Sequence, residues 1–94
     1  MGLGTTHPGA ILREELEARG MSAASLAHKL HISPQRIQDV IRGQRAITPE
    51  TALRLSRYFG NEAEFWMNLQ MNFELAETRR TRGAKIWAEV EQAA

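Results

Sequence analysis

Apolar residues recur along this chain at helical spacing, and no stretch alternates apolar with polar as a half-buried strand does. Ile11, Leu12 and Leu16 form the first stripe, opened by Pro8 after His7 and closed at Arg19-Gly20. Ser22 starts a second helix, with Met21 and Leu26 spaced as a hydrophobic staple and Leu26, Ala27 and Leu30 as its buried face. Ser33-Pro34 starts a third, and Ile32 and Ile37 repeat the staple. This helix runs to about Arg42 and stops at Gly43, with Ile37, Val40 and Ile41 on one side. Thr48-Pro49 opens a fourth, with Glu50 in its first turn and Ala52, Leu55, Ser56 and Phe59 on one face, and Gly60 ends it. Asn61-Glu62-Ala63-Glu64 reads as a capped start for a fifth and longest helix, expected to reach about Thr81. Gly83 is expected to break it, leaving a last amphipathic turn or two with Ile86, Trp87 and Val90. The fold class is all-α, with five helices in one domain over residues 7–81, a flexible N-terminus at 1–6 and a C-terminal helical extension at 82–94.

The two short helices over residues 22–43 carry the most information. Joined by a tight turn around Leu30-His31-Ile32-Ser33, they have the helix-turn-helix arrangement, in which the second helix enters the DNA major groove. Ala27 is small enough for the two helices to cross closely, Ile32 plugs the turn, and Ile37 and Ile41 pin the second helix to the core. With Gln35 set at zero, Asp39 falls at about 40°, Arg42 at about 340°, Gln38 at about 300° and Arg36 at about 100° around that helix. Gln35, Gln38, Asp39 and Arg42 therefore face outward, with Arg36 on the flank. Gln pairs bidentately with adenine and Arg with guanine, whereas Asp39 is repelled by phosphate unless it accepts from cytosine or orients Gln35 and Arg42. Ser33 heads this face, and Arg45 and Thr48 follow it. Arg45 suits a phosphate contact, and Thr48 is a cap as readily as a phosphate ligand. The competing reading of the whole face is an ordinary solvated helix surface.

Charge placement shifts that balance toward nucleic acid. The 94 residues carry 12 Lys plus Arg against 11 Asp plus Glu, yet the distribution is uneven. Residues 28–57 hold six basic side chains against Asp39 and Glu50, net +4; residues 1–27 hold two against three, and residues 58–94 four against six. A basic block between mildly acidic flanks is the footprint of a phosphate-binding surface. The chain contains no cysteine, which excludes disulfides and thiolate metal sites. No apolar run exceeds three residues and no signal peptide is visible, so a cytoplasmic protein without a membrane span is expected. His28 and His31 lack metal-ligand spacing, and no serine has an evident oriented base. No enzyme, metal or cofactor is expected.

Several segments together resemble the HigA antitoxin family of the Xre/Cro-like helix-turn-helix class. They are His7-Pro8-Gly9-x-Ile11-Leu12-x-Glu14-Glu15, the Leu26-to-Gly43 motif, Gly43-x-Arg45-x-Ile47-Thr48, Thr51-Ala52-x-Arg54-Leu55, and Tyr58-Phe59-Gly60 followed by Glu64-Phe65-Trp66-x-Asn68-Leu69-Gln70. The likeness covers roughly residues 7–75, and the Phe-Trp-x-Asn-Leu-Gln segment is its most specific part. It implies a five-helix lambda-repressor-like core that forms a homodimer on double-stranded, palindromic operator DNA. It also implies a HigB-like toxin partner, a RelE-like ribonuclease that cleaves mRNA, with both proteins repressing their operon. One departure is His31, at a turn position where the class usually has glycine and where positive φ is often needed.

The fifth helix carries a second apolar face. Phe65, Trp66, Leu69, Phe73 and Ala76 cluster on one side, and Met67, Met71 and Leu75 on another. In so small a domain the second stripe is expected to be a dimer or toxin interface, methionine being common at adaptable surfaces. The Ile86-Trp87-Val90 patch is an alternative toxin surface. A stand-alone Xre-type repressor without a toxin, or an interaction module without DNA, remain the rival readings at this point.

Overall fold

The computed structural model describes residues 6–93 as five helices in chain order: α1 (Pro8–Arg19), α2 (Ala23–Leu30), α3 (Pro34–Ile41), α4 (Pro49–Phe59) and α5 (Ala63–Glu89). Residues 1–5 of the expected flexible N-terminus lie outside the described residues. Four of the five helices begin on a side chain that satisfies a free N–H group. His7 Nδ1 accepts from the Gly9 N–H at 2.9 Å. The Ser22 and Ser33 hydroxyls accept from Ser25 N–H and Arg36 N–H at 3.0 and 3.2 Å, and Thr48 accepts from Thr51 N–H at 3.3 Å. Proline opens α1, α3 and α4, where its missing N–H removes nothing from the helix.

The core is one cluster. Leu12 and Leu16 of α1, Leu26, Ala27 and Leu30 of α2, Ile37 and Val40 of α3, Ala52 and Leu55 of α4 and Trp66 of α5 meet there, with Ile47 plugging it from the loop between α3 and α4. Gly9 sets the approach of α1 to α3, because a Cβ there would fall on the Val40 carbonyl oxygen. Beside it the His7 ring lies edge-on to Phe73 with centroids 4.8 Å apart, joining the start of α1 to α5. Burial pushes the His7 pKa below its usual value, since desolvation disfavours the charged ring.

Two helix boundaries differ from expectation, both in α5. Asn61 does not cap it. The buried Trp66 indole N–H needs an acceptor and donates to Asn61 Oδ1 at 3.2 Å, leaving Glu62 at the N-cap without a side-chain hydrogen bond. Nor does Gly83 break the helix, which runs unbroken to Glu89. Glycine costs a helix interior about 1 kcal/mol relative to alanine but keeps its N–H, so alone it weakens a helix without ending it. Only Trp66 and Gln70 of α5 are buried. Its distal half projects from the core, and the molecule measures 52 Å along its long axis against 23 and 21 Å across.

His31 stands at φ 59°, ψ 42°, the one non-glycine with positive φ among the described residues. The turn forms with histidine in the glycine position: His31 N–H donates to His28 O at 3.2 Å and Ile32 N–H to Ala27 O at 3.1 Å. Histidine bears this conformation at a cost. His31→Gly is expected to raise stability by about 0.5–1 kcal/mol, the left-handed penalty less the entropy glycine loses on folding. His31→Val, β-branched in the same conformation, is expected to lower it. Thermal denaturation followed by circular dichroism checks both; equal midpoints for the three proteins would show that this turn stores no strain.

Candidate nucleic-acid interface

The short helix α3 is held from beneath and open above. Ile37 and Val40 are buried in the core and Ile41 is half-buried, which turns the opposite side outward. Gln35 and Arg42 are exposed, with Gln38 and Asp39 half-buried between them. The outward face consists of the four residues that 100° spacing assigns to it.

These side chains pair with one another. Gln35 Nε2 donates to Asp39 Oδ1 at 2.8 Å, and Arg42 Nη2 donates to Gln38 Oε1 at 3.4 Å. Arg45 reaches back from the loop, its Nη2 3.7 Å from Asp39 Oδ2. Asp39 thus orients Gln35 as expected, but its cationic partner is Arg45 and not Arg42. The geometry explains this: Gly43 turns the chain at φ 76°, and Gln44 N–H closes α3 onto Asp39 O at 2.8 Å, which returns Arg45 alongside the helix. The carboxylate is therefore compensated within the face. Exposed pairs of this kind contribute about 0–1 kcal/mol each, so these groups exchange partners cheaply. Gln and Arg at such positions offer bidentate donors and acceptors to base edges.

Three of the eight residues assigned to the interface from sequence are engaged in the fold. Ser33 caps α3 and Thr48 caps α4. Arg36, expected on the flank as a DNA contact, turns away to α4. Its Nη2 donates to Thr51 Oγ1 at 2.7 Å and lies 3.6 Å from Glu50 Oε1, lashing α3 to the start of α4. Arg54 completes that corner, donating to Glu50 Oε2 and to Leu30 O, each at 2.9 Å. Its hydrogen bond and charge hold the Glu50 carboxyl below its usual pKa, with Arg36 adding to the effect. Gln35, Gln38, Asp39, Arg42 and Arg45 remain together on one face.

Sequence reasoning missed Gln70. It is buried, and its Oε1 accepts from Ile47 N–H at 2.8 Å while its Nε2 donates to Glu74 Oε2 at 2.8 Å. The available signal was a polar residue at about 140° with Phe65 at zero, between the stripe that ends at Trp66 and the one that begins at Met67. Of the second α5 stripe, Met67 packs half-buried against the core, whereas Met71 and Leu75 are exposed. Met67, Met71 and Leu75 line one shallow groove, and farther along Leu75, Gly83, Ile86, Trp87 and Val90 line a second, apolar one on the projecting part of α5. No group of acidic or histidine side chains suited to a metal ion occurs among the described residues, and no helix there is long and apolar enough to cross a membrane.

Comparison with known proteins places this geometry. A family model described as helix-turn-helix matches residues 12–66. A solved HigA-family addiction module antidote protein from Coxiella burnetii superposes with TM-score 0.91 at 42% identity, covering 95% of this chain and 98% of that one. The Pseudomonas aeruginosa antitoxin HigA, solved with the higBA promoter, superposes with TM-score 0.93 at 42% identity, covering 96% and 99%. Virulence-associated protein I of Dichelobacter nodosus is 56% identical over 70 residues, which are 73% of this chain and 65% of that protein, just under two thirds of its length.

The contacts of Arg36 make it a structural residue with a measurable share of stability. Arg36→Met is expected to lower stability by about 1–2 kcal/mol, since it removes a charged donor from the buried Thr51 hydroxyl. That corresponds to a fall of several degrees in the midpoint of a domain this size, read by thermal denaturation. An unchanged midpoint would place Arg36 among the free side chains of the face.

Proposed function

This chain is a member of the HigA family within the Xre-like helix-turn-helix class, and we propose that it is the antitoxin of a type II toxin–antitoxin pair. In this reading it binds operator DNA through α3 and represses its own operon. It also neutralises a RelE-like, mRNA-cleaving HigB-type toxin by direct binding. The observation that carries the reading is the outward polar face of α3, with Gln35, Gln38, Asp39 and Arg42 beside Arg45, on a fold matched over nearly its whole length by an antitoxin solved with its promoter. Ser33 and Thr48 stand at helix N-termini that flank this face and offer backbone N–H groups to phosphate. Arg36, bound to α4, supports the face from behind.

The protein acts as a homodimer in this reading. Two copies of α3 spaced about one DNA turn apart, roughly 34 Å, match the two halves of a palindrome. Support comes from the apolar surface that α5 leaves open: Met67 and Met71 in one groove and Ile86, Trp87 and Val90 in another, with Leu75 lining both and Trp87 87% exposed. Contiguous apolar surface of this kind marks an interaction site. One groove serves the second copy and the other is left for the toxin.

Gln35→Ala and Arg42→Ala are each expected to weaken operator binding by about 1–3 kcal/mol while leaving the fold intact. Gel shifts on a duplex from upstream of its own gene, against a shuffled duplex at fixed salt, read this directly. Wild-type affinity in both variants would remove α3 as the reading element.

Met71→Glu and Leu75→Glu are expected to abolish either self-association or toxin capture, seen by light scattering and by co-purification with the product of the adjacent gene. Met67→Glu does the same but also destabilises, because Met67 packs on the core. A stand-alone repressor would bind its operator and show no toxin to capture. If neither assembly responds to the α5 variants, the stripe is no interface.

A further inference from the structure

Gln70 belongs to α5 and not to the outward face of α3, yet it is bonded to the loop that completes that face. It is 5% exposed and spends both ends of its amide. The Ile47 N–H can only donate, so Gln70 Oε1 must turn toward it, and that leaves the NH2 group to donate to the Glu74 carboxylate. The orientation of the amide is therefore dictated by the loop on one side and matched by its neighbour on the next turn of α5 on the other.

The loop depends on this contact. Between Arg45 and Ile47, no other backbone hydrogen bond to the rest of the domain occurs among the described residues. The buried Ile47 side chain anchors the loop as an apolar plug, which allows sliding and rotation. The amide adds a directional bond two residues from Arg45. From Arg45 the chain of contacts continues to Asp39 at 3.7 Å and from Asp39 to Gln35 at 2.8 Å.

Resting on the operator-binding reading above, we propose that Gln70 is a positioning residue for DNA recognition: it fastens the Arg45 loop to α5 and thereby, through Arg45 and Asp39, sets where Gln35 stands for the bases. Gln70 touches no DNA. It acts through the Ile47 backbone, and Glu74 acts through Gln70. Fixing the base-reading side chains before binding raises affinity for the sequence they read, because their ordering is not charged against the complex.

Three variants test this. Gln70→Met keeps length and packing and leaves Ile47 N–H without a partner. Gln70→Glu keeps the acceptor but sets two carboxylates against each other. Gln70→Glu combined with Glu74→Gln restores every bond with the roles exchanged: the introduced amide donates to the introduced carboxylate, which still accepts from Ile47 N–H. Each is assayed where circular dichroism shows it folded, by amide exchange at Ile47 and by binding to a duplex from upstream of its own gene and to a shuffled duplex.

The expected result is faster Ile47 exchange in both single variants. Specific affinity falls about tenfold with little change on the shuffled duplex, because phosphate contacts and base contacts separate in this way. The double variant returns to within about threefold of wild type, inside the spread typical of a retained contact. If Gln70→Met does not fold, Gln70→Glu and its combination with Glu74→Gln decide alone. Faster Ile47 exchange with an unchanged ratio of specific to shuffled binding would overturn the proposal while leaving operator binding intact. A wild-type protein that does not distinguish the two duplexes would overturn the operator reading itself.

Discussion

A helix of eight residues has no stability of its own in water, because nucleation costs more than two turns of hydrogen bonds return. Everything α3 presents outward therefore depends on what holds it from other sides. Ile37 and Val40 seat it in the core, Ser33 closes its first turn, and Gly9 lets α1 approach the Val40 carbonyl with no side chain between. Arg36 ties it to α4, and the loop behind it is fastened through Ile47 to α5. The surrounding helices thus converge on positioning this one. The polar face is free to meet a ligand because none of its own side chains is needed to hold the helix in place.

The electrostatics of that face follow the same division. Basic residues are concentrated in the middle third of the chain, yet Arg36 and Arg54 are committed to the corner around Glu50 and Thr51. Arg42 and Arg45 are the cations beside the outer face of α3, each near a partner it can release. Asp39, unfavourable in isolation beside phosphate, becomes an organiser when Gln35 and Arg45 share its two oxygens. A carboxylate so compensated costs little in binding and restricts the rotamers of its neighbours.

Much of this was legible in the sequence because it is written locally. Ser22, Ser33 and Thr48 mark helix starts through bonds to residues three positions on, and Gly20 and Gly60 mark ends through their own backbone angles. The outward face of α3 follows from spacing alone. What could not be read was set by distant partners. Asn61 has the look of a cap, but an indole five residues away takes its side chain. Arg36 sits on the flank by angle, yet Thr51 draws it to α4. Gln70 reads as one more polar residue until Ile47, 23 positions earlier, is found beside it. Gly83 differs for another reason: glycine keeps its N–H, and one weak helix former within a longer helix does not stop it.

The unbroken course of α5 has a geometric corollary. Its 27 residues make a rod about 40 Å long, in which every position is indexed to the core by 1.5 Å of rise and 100° of rotation. With a hinge at Gly83, the Ile86, Trp87 and Val90 side chains would be tethered; without one, they are phased. Inserting or deleting a single residue between Thr78 and Ile86 swings that apolar edge more than a quarter of a circle around the rod axis, while leaving its composition untouched. The spacing of this tail is therefore as much a part of its information content as its residues.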